Sequence, residues 1–152
     1  GRRLFKGRNL YVSGACLMAR EMAEEKRLGD YLLLDEQMVT SQVAVNLYAE
    51  AKQQKVVLVE AGVPWYLVDE ELELIPSGET ELALQTKNVL TQKEKQFMIE
   101  LDPLTGRLDR HCRLMLRIRF ESPSQCIVTI KDEGFGELFP TSNRIWEKQV
   151  EL

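Results

Sequence analysis

Apolar and polar residues alternate along most of the chain after Gly29, with the period of two that is typical of strands with one buried face. The segment 112–120 shows this best, because its even positions are apolar and its odd positions are mostly arginine. The even set is Cys112, Leu114, Leu116, Ile118 and Phe120, and the odd set is Arg113, Met115, Arg117 and Arg119. Alternation or a β-branched run recurs at 39–47, 55–60, 66–76, 79–86, 95–102, 126–132 and 144–152.

Turn-forming residues separate these segments, and they complete the prediction of the fold. They lie at 61–65, where Pro64 fixes a backbone angle, at 121–125, and in the glycine-rich stretch 132–140. The run 55–60 is rich enough in valine to predict a strand that is buried on both sides. About eight strands with such spacing predict a mainly β fold, an antiparallel β-sandwich or barrel, preceded by one N-terminal helix.

That helix is predicted from Ser13 to Arg27, where apolar residues recur every three or four positions. Ser13 is expected to cap its N-terminus, because a serine hydroxyl can accept from a free backbone N–H of the first turn. Gly29 is expected to end it, since glycine readily adopts the left-handed backbone that follows helices. A single amphipathic helix does not fold alone. Its apolar stripe therefore needs a partner, supplied either by the later domain or by chain upstream of Gly1.

Composition limits the class of protein. The chain has 152 residues, 44% of them hydrophobic and 29% charged, which predicts one folded domain or one domain with a fragment of another. A net charge of −4 gives no basic footprint for nucleic acid. Apolar runs are far shorter than the ~20 residues that cross a bilayer, so no membrane partner is expected.

Cys16, Cys112 and Cys126 form no CxxC and predict reduced thiols in the cytoplasm. The chain begins at Gly1 without methionine, which suggests a piece of a longer protein.

The search for catalytic groups is nearly empty. His111 is the single histidine, and the side chains of His111 and Cys112 would point to opposite faces of a strand. This argues against a metal site and against a Cys–His nucleophile pair. The nucleophile and phosphate-binding motifs GxSxG, GxGxxG and GxxxxGK[ST] do not occur. We therefore expect no catalytic residue, no metal and no enzyme activity in this part of the protein.

Charge is concentrated in two stretches, which we interpret as solvated faces that pair with each other. The acidic stretch is Asp69, Glu70, Glu71, Glu73, Glu79 and Glu81, and the basic one is Arg107, Arg110, Arg113, Arg117 and Arg119. Alternating glutamates on a strand also discourage pairing at a sheet edge.

The hexamer "DYLLLD" (30–35) lies between the predicted helix and the predicted strands. An acidic apolar segment in this position resembles the interdomain linker of the seventy-kilodalton heat-shock chaperones. In that family Asp-Val-Leu-Leu-Leu-Asp joins an actin-like ATPase to a β-sandwich that binds peptides. The matching residues here are Asp30, Leu32, Leu33, Leu34 and Asp35, with Tyr31 in place of valine.

The similarity to this family continues on both sides of the linker. Leu58, Val59 and Pro64 fit the family's second strand and following turn, Leu84 and Gln85 fit its fourth strand, Lys131 and Asp132 end its late hairpin, and Gly14 and Ala15 fit the last ATPase helix. The resemblance implies three parts. These are the end of an upstream actin-like ATPase domain at 1–28, a linker or first strand at 29–36, and a β-sandwich at 37–152. We also suspect a likeness to an uncharacterised bacterial family of chaperone-like proteins.

The resemblance further implies a function. Two loops at one end of the family's sandwich grip an extended peptide, which here points to Tyr48, Ala49, Leu74 and Leu82 as peptide-binding residues. The linker residues would couple the sandwich to the upstream domain, and any ATP would be bound there rather than here. Two departures argue against a clamp for purely apolar peptides. The first loop (48–55) is charged and lacks glycine, and Glu79 and Glu81 lie near positions that are apolar in the family.

The sequence thus predicts a non-catalytic C-terminal β-sandwich that binds protein or peptide and is coupled to an upstream ATPase. The alternative is a standalone structural or adhesion-type β-sandwich with no chaperone role. The segment "YLLLD" also has an alternative interpretation, as the first strand of the sandwich.

Overall fold

A computed structural model describes residues 10–23, 34–49, 52–76, 80–101 and 112–152. The chain divides into two compact units, Gly1–Leu33 and Leu34–Leu152. The described part of the first unit is helix α1, Leu10–Ala23. The prediction that Ser13 caps this helix is wrong, because Leu10–Val12 contains no helix-breaking residue and the helix begins there, leaving Ser13 inside it. Residues 24–27 of the predicted helix lie outside the described residues.

The second unit contains eight described strands in two antiparallel four-stranded sheets. In chain order they are β1 Ser41–Ala49, β2 Lys52–Val59, β3 Asp69–Leu74, β4 Glu81–Asn88, β5 Glu94–Glu100, β6 Leu114–Ser122, β7 Gln125–Asp132 and β8 Ile145–Glu151, with a short 3₁₀ helix at Trp65–Leu67. The first sheet has the order β2-β1-β4-β5 and the second β3-β6-β7-β8. The predicted antiparallel β-sandwich of about eight strands with one N-terminal helix is confirmed.

The core lies between the inner faces of the two sheets, as alternation predicts. Leu116, Ile118, Val128 and Ile130 of the second sheet are fully buried, together with Val43, Val45 and Leu84 of the first. On β6 the arginines at 117 and 119 lie on the opposite face from this cluster. The two faces assigned to this strand from sequence are therefore correct.

Strand β2 corrects one sequence prediction. The run 55–60 predicts a strand buried on both sides, but among the described strands β2 pairs only with β1 and lies at the edge of its sheet. Val57 is 38% exposed, and Val59 is the one buried residue among the described side chains of β2. The reason is the sheet order, since β1 pairs with β4 on its other side and takes the central place. Valine content records β propensity, not the number of neighbouring strands.

Strand register sorts the connections into two ends of the sandwich. Ser41 is opposite Asn88 and Val45 is opposite Leu84, so the end of β1 lies beside the start of β4. In the second sheet Leu74, Leu114 and Asp132 lie side by side, which brings together the end of β3, the start of β6 and the end of β7. A backbone hydrogen bond of 2.7 Å from Leu101 N to Thr80 O joins the end of β5 to the start of β4.

We call this the loop end. It contains the end of β1, the start of β2 and the β7–β8 loop Glu133–Arg144. It also contains the described parts of the other connections at this end, which are 75–76, 80, Leu101 and 112–113. The opposite end, which we call the turn end, contains the lead-in Leu34–Thr40, the β2–β3 connection 60–68, and the turns 89–93 and 123–124. The lead-in is held there by backbone hydrogen bonds from Val39 N to Val63 O at 2.9 Å and from Trp65 N to Gln37 O at 3.0 Å.

Candidate functional site

All four residues that the resemblance suggested for peptide binding lie at the loop end. Tyr48 and Ala49 end β1, where they pair with Gln53 and Lys52; their side chains lie outside the description. Leu82 is half-buried near the start of β4 and packs against the core. Leu74 is 8% exposed and belongs to the core itself. The fold therefore brings the four positions to one end, with Leu74 facing inward.

Of the predicted linker residues, Asp30, Leu32 and Leu33 lie outside the described residues, and Leu34 and Asp35 belong to the turn end. Leu34 is half-buried and Asp35 is exposed. The Asp35 carboxylate accepts a hydrogen bond from Gln37 N at 2.8 Å, which organises the turn before β1. The chain therefore enters the sandwich at the end opposite the predicted peptide-binding positions.

Among the described residues, four large apolar side chains are exposed at the loop end. Ile75 follows β3, Ile145 begins β8, and Phe135 and Leu138 lie between them in sequence on the β7–β8 loop. Phe135 is 50% exposed and Leu138 is 86% exposed. The side chain of Leu138 is almost entirely in water and therefore does not stabilise the core. It belongs instead to the exposed apolar surface of the loop end.

The base of the β7–β8 loop is fixed by Asp132, the last residue of β7. One carboxylate oxygen, Oδ1, accepts from the Cys112 thiol at 3.1 Å and from Gly134 N at 2.9 Å. The other, Oδ2, accepts from Ser142 N at 2.7 Å. The hydroxyl of Thr141 donates to the Asp132 carbonyl oxygen. Asp132 thus joins the outgoing and returning arms of the loop to β6.

Gly134 lets the two arms of the loop come close together. Its φ is +68°, in the left-handed region that favours glycine. A Cβ at this position would lie 2.5 Å from Thr141 N and 2.6 Å from the Phe139 carbonyl oxygen. Further out, Phe135 N donates to Phe139 O at 2.7 Å and closes the tip. The loop therefore has a defined backbone although it has no regular secondary structure beyond one isolated bridge.

Asp132 is 3% exposed and carries its charge inside the protein. Burial alone would raise the pKa of this carboxyl, but the hydrogen bonds from Ser142, Cys112 and Gly134 outweigh burial and lower its pKa to about 2. The thiol of Cys126 is buried without such partners, and burial raises its pKa to about 11. Cys126 is therefore a neutral, unreactive core residue at physiological pH.

Most of the charged stretches identified in the sequence meet on the outer face of the second sheet, because β3 and β6 are neighbours. Arg117 donates to both carboxylate oxygens of Asp69, at 2.6 and 2.5 Å, and lies 3.5 Å from Glu71. The hydrogen bond from Arg117 lowers the pKa of Asp69. Arg113 lies 3.7 Å from Glu73. These solvent-exposed pairs match the interpretation of faces that pair with each other.

The loop end is different, because three of its acidic side chains form no ion pair with any described residue. Glu81 and Glu100 lie directly opposite each other across β4 and β5, and both are exposed. Glu137 is exposed between Phe135 and Leu138 on the loop. No ion pair joins these three carboxylates to a cationic side chain in the part of the chain that the structure describes. Among the described residues, the loop end thus combines exposed apolar groups with three carboxylates that form no ion pair.

No three His, Cys, Asp or Glu side chains within the described ranges are grouped so that they could hold a metal ion. Nor is any helix in those ranges long and apolar enough to cross a membrane.

Sequence reasoning did not select Phe135, Leu138 or Asp132 as site residues. It interpreted 132–140 as a glycine-rich turn. The signal was present in "GFGELFP", where three large apolar residues lie within a segment of turn-forming residues. The role of Asp132 depends on Cys112 and Ser142, which are distant in the chain.

The fold places the protein among antiparallel β-sandwiches with four strands in each sheet. More specifically, the chain belongs to the family described as Domain of unknown function (DUF8552), whose model matches residues 38–152. A search of curated proteins finds no match to the chain.

Proposed function

We propose that this chain is the C-terminal β-sandwich of a chaperone-like protein, a non-catalytic module that binds protein or peptide segments at its loop end. The observation that carries the proposal is the gathering of Tyr48, Ala49 and Leu82, three positions suggested by the resemblance, at the end that also exposes Ile75, Phe135 and Leu138. Leu74 lies at the same end but belongs to the core. Exposed apolar groups clustered at one end of a domain are typical of protein interaction sites.

The charge of the loop end favours one class of partner. An extended segment with apolar side chains and flanking lysine or arginine would cover the apolar groups and neutralise Glu81, Glu100 and Glu137. A purely apolar segment would desolvate these carboxylates without compensation, which is costly. The preferred partner is therefore apolar at its centre and basic at its flanks.

Coupling to an upstream actin-like ATPase is part of the same proposal. The chain enters at Leu34 and Asp35 on the turn end, and the central strand β1 then runs to the loop end. A change in the lead-in would reach the peptide-binding end along this strand. The free, buried thiol of Cys126 supports a reducing compartment, and we propose the cytoplasm.

Fluorescence anisotropy with a labelled peptide of leucines flanked by lysines tests the proposal. We expect saturable binding to the intact chain, and binding at least roughly tenfold weaker, about 1.4 kcal/mol, when glutamates replace the lysines. A peptide with serines in place of the leucines serves as the apolar control and is expected not to bind. Absence of saturable binding by the lysine-flanked peptide would contradict the proposal and favour a structural or adhesion-type sandwich.

A further inference from the structure

We infer that the β7–β8 loop forms a second wall of the peptide site, with Phe135 and Leu138 as contact residues and Asp132 as the residue that positions them. This inference rests on the proposed function and adds to it a segment that the resemblance did not suggest. It begins from the loop's construction, since three hydrogen bonds to one buried carboxylate hold its base.

The fixed backbone makes Phe135 and Leu138 suitable contact residues. The carboxylate of Asp132 holds the outgoing arm at Gly134 and the returning arm at Ser142, and the Phe135–Phe139 hydrogen bond closes the tip. A loop already ordered before binding loses less conformational entropy when a partner arrives, so more of the apolar contact appears as affinity.

The position of the loop makes it part of the same site. Its two arms leave β7 at Asp132 and enter β8 at Ile145, and Asp132 lies in the row of Leu74 and Leu114. Leu74 is one of the positions that the resemblance suggested, and the exposed Ile75 follows it. Glu137 lies between the two apolar contact residues and carries no counter-ion among the described side chains, so this wall also suits a basic-flanked apolar segment.

The contact role is tested by Leu138→Ala, with Leu90→Ala as its matched control. Leu90 is 67% exposed on the β4–β5 turn, at the opposite end of the sandwich. With the lysine-flanked leucine peptide as the probe, we expect Leu138→Ala to weaken binding roughly fivefold to tenfold and Leu90→Ala to leave it unchanged. Both side chains are in water, so neither change endangers folding.

The positioning role is tested by Asp132→Asn, alone and combined with Leu138→Ala. If Asp132 acts by holding the tip, both changes remove the same contact. The affinity of the double variant for the peptide should then equal that of whichever single variant binds the peptide more weakly. A general loss of stability would instead add to the effect of Leu138→Ala. Amide hydrogen exchange at Gly134 and Ser142 is expected to accelerate in Asp132→Asn before global unfolding.

The outcomes separate this inference from the proposed function. Failure of the wild-type chain to bind the peptide contradicts the proposed function. Binding by the wild type with equal affinities of Leu138→Ala and Leu90→Ala contradicts the second wall alone. Additive losses in the double variant contradict the positioning role of Asp132. Because the Leu138→Ala comparison needs no change in the core, the second wall can be tested even if Asp132→Asn does not fold.

Discussion

The two ends of the sandwich solve the same structural problem with different chemistry. At the turn end, Asn88 ends β4; its amide oxygen accepts from Leu90 N and Thr91 N at 3.0 and 2.9 Å, and its amide nitrogen donates to the hydroxyls of Thr40 and Ser41 at 3.1 and 3.3 Å. At the loop end, Asp132 ends β7 and only accepts. A neutral side chain fixes the short turn, whereas a buried charge fixes the long loop.

The difference follows from what each connection must hold. The β4–β5 turn is short and is also bonded to Thr40 and Ser41, so it needs one side chain that both donates and accepts. The β7–β8 loop is longer and displays Phe135 and Leu138 to water. Its anchor must join the loop's outgoing arm at Gly134, its returning arm at Ser142, and Cys112 before β6. Hydrogen bonds to an ionised acceptor are roughly twice as strong as neutral ones, which suits the harder task. The cost is a charge inside the protein. We therefore expect a substitution of the anchoring residue to lower the free energy of unfolding more at the loop end than at the turn end.

The largest expected effect is that of Asp132→Ala compared with Asn88→Ala. Removing the carboxylate leaves the buried backbone N–H groups of Gly134 and Ser142 without their acceptor, so we expect the free energy of unfolding to fall by about 3–4 kcal/mol. Asn88 is half-buried and water can replace part of its bonding, so Asn88→Ala should cost about 1–2 kcal/mol. Urea unfolding measures both. Equal losses would mean that the buried charge adds nothing to the anchor.

Replacing the glycines of the β7–β8 loop by alanine should lower the free energy of unfolding by a smaller amount. Comparison of two such variants separates the cost of steric crowding from the cost of a left-handed backbone. Gly134 and Gly136 both have positive φ, at +68° and +73°, but a Cβ meets backbone atoms at Gly134 and nothing within 4 Å at Gly136. We expect Gly136→Ala to cost about 1 kcal/mol from the left-handed backbone alone. Gly134→Ala adds the clash and should cost about 2–3 kcal/mol. Similar denaturation midpoints for the two variants would show that the arms of the loop are not closely packed.

The sequence predicted the strands well because their period records which face of each strand is buried. The alternation of β6 located Leu116 and Ile118 in the core and Arg117 on the surface without knowledge of any neighbour. It could not predict that β2 lies at an edge, because strand order depends on the pairing of distant segments. The pairing of Arg117 with Asp69 likewise needed the adjacency of β3 and β6.

The candidate site was predictable only in part, for a related reason. The resemblance pointed to Tyr48 and Leu82, and both lie at the loop end. The function of Asp132 as an anchor could not be seen, since in sequence it is one more aspartate beside a glycine-rich turn. Its partners Cys112 and Ser142 reach it only after β6, β7 and the loop have come together.

The last expected effect is a pH dependence of stability that originates at the loop end. The carboxyl of Asp132 has its pKa lowered from 3.8 to about 2 on folding. A group with a lowered pKa contributes stability above its unfolded pKa, and that contribution is lost as the pH falls through 3.8 towards 2. The shift corresponds to about 2 kcal/mol. In Asp132→Asn this contribution is absent at every pH, so its stability should fall less steeply than that of the wild type as the pH drops.

Asn88→Ala removes no titrating group and should keep the full acid slope, which makes it the matched control. Other carboxyls, including Asp69, contribute to the slope of all three proteins, and the difference between the curves isolates Asp132. Urea unfolding between about pH 7 and about pH 2 measures the curves. Parallel curves for the wild type and Asp132→Asn would mean that the carboxyl is not held ionised by its donors, and the contrast between a charged and a neutral anchor would be lost.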